Sequence, residues 1–590
     1  MGKAQNTFVH YYGTSTSDYG TDVLQTVDGG YMQIIQAVDS GIQLPVLVKT
    51  DCRGHIEWTQ GLYFDGMTSS IDMVNALGNA VVVLINYKET GTGNALTAVT
   101  KIDLNGNLVW CKSLALDCGF SNIGIIMENT GNFVLCGNPI TTPASTPSIA
   151  IVKLHESGNI LFQQKIDLPL PATVVGITVL PNGDYALAGT YPSSLPTFKD
   201  VFVLTVTNDL TFKNAVVADT YYDDEVYALT SDESGNIYLC GRSYFIGSAW
   251  DGMLIKFNSN LDLVFSQYYD AGTTEGEVFR DMVKSPSASL TVCGDKGASD
   301  DRNLVVAQLN YSGNIVFSKE FPVSVLLTNY LFKINTTAEG GYVATGDINP
   351  PFSFRDAPIL KLNDKGEDNC FAQDFSFAKR NEVLVLNYVI GINSLINIDV
   401  HDTVPNYQNS LIHDNEICST TGPCPAFVFA SKLSCDNFCF DFTNQSSFAT
   451  QWNWEFENGN PANSTSENPQ NICFSKEGQH AVTLTVSDGI DTSVLVKMIE
   501  VSLDCEPVIP NIFTPNGDGI NDEFEITHMP ETYELLIYNR WGVPVYTANN
   551  EPQFWQGTIA GKKVAQGVYY YVFKNGLTGK EYHGFVQVSY

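Results

Sequence analysis

The chain has 590 residues, of which 44% are hydrophobic, 12% aromatic and 16% charged; this is about four times a usual domain of ~150 residues, which excludes one compact core and excludes disorder throughout. With 64 Asp plus Glu against 31 Lys plus Arg, the net charge of -33 repels phosphate backbones and anionic bilayers and argues against nucleic acid as a partner. No uncharged apolar run approaches the ~20 residues of a spanning helix, so no transmembrane segment is expected. The opening Met1-Gly2-Lys3-Ala4-Gln5-Asn6 has no hydrophobic region, and Lys3-Ala4-Gln5 reads either as the end of a trimmed signal peptide or as an ordinary polar terminus.

One phrase recurs through the first two thirds: an apolar strand, a tight turn and a strand carrying an aromatic. Its copies end at Trp58, Trp110, Phe162, Phe212, Phe265, Phe317 and Cys370 beside Phe371, at steps of 52, 52, 50, 53, 52 and 53 residues. A second column, Gly137, Gly189, Gly241, Gly294 and Gly346, keeps the same period with steps of 52, 52, 53 and 52. Asn105-Gly106 between apolar strands predicts a two-residue hairpin with positive φ, and Ser157-Gly158 and Ser312-Gly313 stand in the same place. Units of ~50 residues that hold four strands predict an all-β chain whose residues 1–378 form a seven-bladed β-propeller. A β-solenoid is disfavoured because its coils are shorter and lack the hairpin phrase. Thr7–Gly13 repeats the aromatic strand 50 residues before Trp58, so that one terminal copy is expected to complete a blade begun at the other end of the repeats.

After residue 378 the period stops, and residues 379–423 read as a strand-containing extension or linker. Residues 424–505 alternate as a β-sandwich does. Within them Trp452-Asn453-Trp454-Glu455-Phe456-Glu457-Asn458-Gly459, Asn468-Pro469 and Gly478–Val486 resemble the PKD family of immunoglobulin-like extracellular modules. Glu457-Asn458-Gly459 replaces that family's usual Gly-Asp-Gly turn.

Residues 506–590 carry Pro510-Asn511, Phe513-Thr514-Pro515-Asn516-Gly517-Asp518-Gly519, Asn521-Asp522 and Phe524. They continue with Asn539-Arg540-Trp541-Gly542, Trp555-Gln556-Gly557, Gly561-Lys562 and Gly567-Val568-Tyr569-Tyr570-Tyr571. These motifs, in this order, resemble the gliding-motility-associated C-terminal domain of proteins exported by the type IX secretion system of Bacteroidota. The resemblance implies a small β-sandwich that acts as a sorting signal, the secretion machinery at the outer membrane as a partner, and a location at the cell surface or outside the cell, reached through the periplasm.

Thirteen cysteines leave at least one outside any intrachain pair. Cys136, Cys240 and Cys293 precede column glycines and read as small core residues, Cys111 and Cys118 are spaced to pair, and Cys370, Cys418, Cys424, Cys435, Cys439, Cys473 and Cys505 predict disulfides of unassigned connectivity in an oxidising compartment. A zinc cluster among them lacks a CxxC pair or a nearby histidine. Asn516, Asp518, Asn521 and Asp522 offer oxygens either to calcium or to an Asx-stabilised turn; no other cofactor is expected. The acidic run Asp223-Asp224-Glu225, and Glu275 with Glu277, read as solvated loop charge, with a cation or ligand site as the alternative.

The eight histidines, among them His10, His55, His155 and His401, form no HExxH; no GxSxG elbow or phosphate loop is present, and no catalytic residue is assigned. The expected function is that of an exported binding or adhesion module in which a propeller head takes a glycan or protein ligand, with Tyr221, Tyr222, Tyr244 and Trp250 as stacking candidates. The alternatives are a secreted hydrolase or lyase with its site in the propeller funnel, marked by carboxylates or histidines converging at the axis, and a structural part of the surface or motility apparatus.

Overall fold

The computed structural model describes residues 7–590 apart from residues 40–41, 65–67, 78, 89–94, 116–119, 140–146, 193–197, 220–221, 245–248, 273–275, 299–300, 323–326, 350–354, 369, 382–383, 389–391, 395–398, 404, 409–411, 420–421, 435–436, 475, 477, 502–506, 518–520, 527–531, 551–553 and 577–578. The described elements are strands, and among the described residues no helix is long and apolar enough to cross a membrane. The chain divides into two compact units, Met1–Cys424 and, apart from Asp491–Ser493, residues 425–590.

The first unit holds seven five-stranded antiparallel sheets. Sheet 1 is built from Tyr19–Gln25, Tyr31–Asp39, Ile42–Thr50 and Ile56–Tyr63. Sheets 2 to 6 repeat this meander and open with Thr68–Ala76, Phe120–Met127, Thr173–Val179, Asp223–Ser231 and Glu277–Ser285. Sheet 7 takes Leu327–Thr336, Tyr342–Asn349 and Ala357–Leu362 from the end of the repeats and Phe8–Gly13 from the N-terminus, with Phe8 opposite Lys361 and Tyr12 opposite Ala357. The first strands of successive sheets touch in order from sheet 1 to sheet 7, and that of sheet 7 touches sheet 1.

Both sequence columns have physical causes in these contacts. The ring of Trp110 in sheet 2 lies against Gly158 of the next sheet's turn, where a Cβ would stand 3.0 Å from it, and the Trp110 indole N–H donates to Glu156 O at 3.0 Å. Phe8 meets Gly54 in the same way from sheet 7 to sheet 1. In the other column a Cβ on Gly189 would fall 1.9 Å from Thr173 O, because the first strand folds back at a register shift there.

The turns differ from the expected two-residue hairpin. Asp103 N–H donates to Asn107 O at 2.9 Å and Gly106 N–H to Asp103 O at 3.0 Å, which leaves a three-residue loop with Gly106 at φ 84°. Asp103 Oδ1 accepts from Asn105 and Asn107 N–H at 2.9 and 2.8 Å, and this side-chain anchor selects the longer turn.

Residues 373–419 supply the fifth strand of every sheet. Gln373–Asp374 pairs with sheet 6, Ala378–Asn381 with sheet 5, Val385–Tyr388 with sheet 4, Ile392–Ser394 with sheet 3, Asp399–Asp402 with sheet 2, Asn406–Gln408 with sheet 1 and His413–Ser419 with Phe8–Gly13 of sheet 7. This belt thus visits the sheets in reverse order, one about every seven residues. Phe377, Leu384 and Ile412, separated by multiples of seven, each enter a different hydrophobic core. A disulfide between Cys52 and Cys424, 372 residues apart in sequence, ties the end of the belt to the turn of sheet 1.

In the second unit two four-stranded sheets, one with Phe427–Ser434 and Asn437–Asn444, the other with Gln451–Phe456, Gly478–Ser487 and Thr492–Val501, share a core of Phe427, Phe442, Trp454, Phe456, Val482 and Leu484. Cys439 and Cys473 are bonded across adjacent strands of one sheet. Cys136, Cys240 and Cys293 are buried thiols, and Cys111 is a buried thiol beside Thr100; Cys118, Cys435 and Cys505 lie outside the described residues. A separate five-stranded sheet of Ile512–Phe513, Glu581–Val588, Gly567–Asn575, Tyr533–Tyr538 and Pro544–Asn549 has its own core.

The Phe377 ring sits 5.7 Å from Phe279 and 6.0 Å from Tyr269, buried to 8% exposure. Phe377→Ala is therefore expected to destabilise the first unit by about 3 to 5 kcal/mol, read as a lower denaturant midpoint with the transition of the second unit unmoved; an unchanged midpoint would show that the belt is not anchored there.

Candidate functional site

The register shift in each first strand places one residue per sheet in a third column: Asp22, Asp72, Gly124, Gly176, Ala228, Asp281 and Lys333. These seven residues border a cavity of about 370 Å³ reached by the first strands of all seven sheets. Its wall is uneven. Sheets 1, 2, 6 and 7 contribute three carboxyls and an ammonium, whereas sheets 3, 4 and 5 contribute two glycines and an alanine, which bring no polar side chain; a Cβ on Gly124 would stand 3.1 Å from Gly176 Cα and one on Gly176 2.9 Å from Leu229.

The carboxyls also brace the sheets. Asp22 accepts Val23 N–H and, from the neighbouring sheet, Met73 N–H, both at 2.8 Å. Asp281 accepts Ile334 N–H at 2.9 Å, and Asp72 accepts Ile125 N–H at 3.2 Å. Burial and the facing Asp72 raise the Asp22 carboxyl well above the usual range, although Lys333 opposes them. The carboxylates of Asp72, Asp281 and Asp22 keep Lys333 charged against burial, and its Nζ stands 3.4 Å from Asp72. Burial and the facing Asp72 therefore favour the protonated form of Asp22, beside the charged Lys333.

Aromatic and arginine side chains from the first strands of sheets 5, 6, 7 and 1 lie beside this wall. Tyr227 lines the cavity itself, and the Arg280 guanidinium carbon is 6.0 Å from its ring, 4.9 Å from Tyr330 and 5.7 Å from Phe332. Tyr330 and Phe332 stack at 6.2 Å, and Tyr19 meets Phe332 edge-on at 6.3 Å. Burial works against the charge of Arg280, but the buried Asp295 carboxylate more than offsets it. All five of these residues are half-buried.

The acidic run departs from its reading as loop charge, since Asp223-Asp224-Glu225 opens the first strand of sheet 5. Glu225 accepts from Arg242 Nε and Nη2 at 2.8 and 2.6 Å and from the Tyr227 hydroxyl at 2.7 Å, and also holds Lys199. Glu277 is buried, while Glu275 lies outside the described residues. Tyr244 and Trp250 pack together at 5.3 Å with Arg242 3.9 Å over the Trp250 ring, Tyr222 is half-buried, and Tyr221 lies outside the described residues. Sequence reasoning missed Asp22, Asp72, Asp281, Lys333, Tyr227, Arg280 and Phe332, although a search at the 52-residue period would have aligned the first four.

A larger hollow of about 660 Å³ between turns of sheets 4 and 5 offers less chemistry. Its charges are spent on neighbours, Lys213 on Asp184 at 2.7 Å and Glu233 on Lys284 at 2.8 Å.

At the C-terminus the motif residues divide into those that build the fold and those that face out. Phe513, Phe524, Trp555 and Tyr569 form the core, with Trp555 5.4 Å from Phe513 and 5.1 Å from Tyr569. Thr514 N–H donates to Asn521 O and Gly517 N–H to Asp522 Oδ1, both at 2.7 Å, so the loop that includes Asn516 is closed by its own hydrogen bonds; Asp518 and Gly519 lie outside the described residues. Pro515 packs where a Cβ on Gly557 (φ 65°) would stand 2.9 Å away, Asn511 O accepts Gln587 N–H at 2.8 Å next to Pro510, and Gly567 begins the strand that carries Tyr569. Asn539 Oδ1 accepts Trp541 and Val543 N–H at 3.0 and 3.1 Å, which fixes the turn Asn539-Arg540-Trp541-Gly542 while Trp541 remains 79% exposed.

Residues 508–588 match the CHU_C Type IX secretion signal domain. A type IX secretion signal implies export to the cell surface or the extracellular space and an encounter with the secretion machinery. No curated protein matches the chain. Among solved structures it is similar to the polysaccharide lyase Uly1, with 9% identity over 59% of this chain and 90% of that one at a TM-score of 0.40. It is also similar to a protein of unknown function from Dyadobacter fermentans, with 10% identity over 51% and 96% at 0.33, and to PorZ, a surface component of the type IX secretion system of Porphyromonas gingivalis, with 11% identity over 97% and 81% at 0.25.

Two outcomes follow from this geometry. In the secretion signal domain, Trp555→Ala should cost about 3 to 5 kcal/mol while Trp541→Ala stays within about 0.5 kcal/mol, compared by denaturant melts of the full chain. In the first unit, burial works against the Glu225 carboxylate, yet Lys199, Tyr227 and Arg242 hold it at about 2. Its stabilisation is present above the ordinary carboxylate range and is lost as pH falls toward 2. The melting midpoint of Glu225→Gln should accordingly lie below that of the native chain at pH 7 and converge on it in acid; a gap independent of pH would sink this account.

Proposed function

We propose that the seven sheets of the first unit are the blades of a closed seven-bladed β-propeller, that residues 424–505 are a PKD-like spacer, and that the chain is a type IX-exported surface or extracellular protein whose head is a binding and adhesion module for glycans. The propeller reading is supported by the cyclic contacts of the first strands and by the N-terminal strand within the last sheet. The observation that carries the binding role is the central cavity, in which three carboxyls and an ammonium face Gly124, Gly176 and Ala228. Sugar hydroxyls can donate to the carboxylates and accept from Lys333, while C–H faces stack on Tyr227 and Phe332.

Asp22 and Asp72 favour a second reading, a secreted hydrolase or lyase. Two neighbouring carboxyls, one of which burial favours in its protonated form, are a pair that general acid and base chemistry on a glycosidic linkage can use. The brace hydrogen bonds of Asp22 weigh against it, because both of its oxygens are already used as acceptors.

A glycan and polysaccharide array with the full chain, run with calcium and with chelator to include the Asn516–Asp522 loop, tests both readings. Saturable binding that weakens about tenfold in Tyr227→Ala or Phe332→Ala, ~1.4 kcal/mol, would support the lectin-like head. Cleavage of a bound polysaccharide that is lost in Asp72→Asn would support the enzyme, and binding to protein alone would overturn the glycan assignment.

A further inference from the structure

Three segments remote in sequence meet where the cycle of sheets closes: the N-terminal strand Phe8–Gly13, the turn of sheet 1 from Asp51 to His55, and the last belt strand His413–Ser419. His10 lies between Ile359 on one side and Glu416 on the other. Its side chain is fully buried. The Nδ1 atom is 2.7 Å from Asp414 Oδ1, but Nε2 has no hydrogen-bond partner and points toward Glu416 Oε2 at 3.7 Å, beyond hydrogen-bond range. His55 approaches the same oxygen with its own Nε2 at 3.8 Å and holds Asp51 Oδ2 3.5 Å from its Nδ1. The two rings stand 5.3 Å apart at 90°.

Each imidazole thus turns Nδ1 to a carboxylate and Nε2 to one shared carboxylate. With Nδ1–H donated to Asp414, His10 Nε2 is a lone pair, and it faces another acceptor. Two acceptors aimed at one point need a proton or a metal ion between them. Asp414 holds His10 in the tautomer that frees Nε2, the arrangement found around histidine ligands of metals, and Asp51 stands on the Nδ1 side of His55. We propose that His10, His55 and Glu416 form a binding site for a divalent transition metal, with zinc as the best fit to two imidazoles and a carboxylate.

The dimensions agree. The donor atoms of the three residues lie within 4.8 Å of one another, whereas a tetrahedral zinc with bonds of ~2.0 to 2.2 Å brings its donors to about 3.3 to 3.5 Å, so contraction by a few tenths of an ångström to about an ångström completes the site. His55 and Glu416 are 53% and 44% exposed over the buried His10, which gives the metal an entry path and leaves a fourth position for water. The carboxylate group Asp251, Asp270 and Glu277 differs, because Arg380 already supplies its cation at 2.9 Å from Asp251. Metal at His10 would join the N-terminal strand, the sheet 1 turn and the end of the belt, beside the Cys52–Cys424 disulfide that joins the same turn and belt.

The test is calorimetric titration of zinc into the untagged, chelator-treated full chain, with cobalt absorption as a second readout. One equivalent should bind, the cobalt complex should show the intense visible bands of a four-coordinate site, and the melting midpoint of the first unit should rise with metal concentration. His55→Ala and Glu416→Gln, both at exposed positions, should fold as the native chain does without metal and bind zinc at least 100-fold more weakly, and Asp414→Asn should weaken it 10- to 100-fold. No saturable binding, or binding unchanged in His55→Ala and Glu416→Gln, would overturn the proposal.

Discussion

The unpaired edge is the constraint on which the first unit depends. Each repeat folds into a four-stranded meander whose last strand would expose a row of backbone N–H and C=O groups, and seven such edges in one molecule would invite pairing between chains. One segment covers all of them. Strand residues advance ~3.3 Å each, so a stride of seven residues reaches about 23 Å, enough to pair with one edge, cross to the next and repeat. The belt ends on Phe8–Gly13, which is already paired to Ala357–Leu362, so the N-terminal strand sits between the end of the repeats and the end of the belt. Pairing of the N-terminal strand and protection of the last edge are thereby one device.

What was legible in the sequence follows from this physics. The aromatic column stands out because its rings pack on the turn of the next sheet, as Trp110 does on Gly158, and the glycine column because a Cβ on Gly189, Gly241, Gly294 or Gly346 would meet a backbone oxygen of the first strand of its own sheet, as Gly189 meets Thr173 O. The turn Asp51–His55 or Asp103–Asn107 is legible as a turn but not in its length, since the Asp side chain rather than the glycine decides it. The belt was not legible as a belt. Its strands are two to seven residues long, too short for alternation to register, and their partners lie up to hundreds of residues away. Phe377, Leu384 and Ile412 do carry a seven-residue signal, but one that resembles neither the helical nor the strand period.

The central cavity was hidden for the opposite reason. Asp22, Asp72 and Asp281 recur at the repeat period, yet an isolated Asp in a strand reads as surface charge, and only the fold shows that it accepts a backbone N–H from the neighbouring sheet. The column then breaks at Gly124, Gly176 and Ala228. A repeat makes a symmetrical scaffold, and departures from it make a site: where the brace is abandoned, the wall loses its polar side chains while the other sheets keep theirs. The secretion signal domain stands at the other extreme. Phe513, Pro515, Trp555 and Gly557 are close in space and hold one another in place, so its motif is largely a record of the fold, with Arg540 and Trp541 exposed at a turn that forms without them.

The topology also orders events along the chain. Phe8–Gly13 is made first, yet its partners at Ala357–Leu362 and His413–Ser419 come more than 340 residues later, and loop closure over such distances is entropically costly and slow. The seventh sheet therefore cannot be complete until residue 419 is available, and the Cys52–Cys424 bond cannot form until five residues after that. The match to the secretion signal begins only at residue 508, downstream of every residue that closure needs. A chain long enough to present the signal has already synthesised the belt, the disulfide partner and the His10, His55 and Glu416 cluster, so display of the signal and completion of the first unit are linked by chain order.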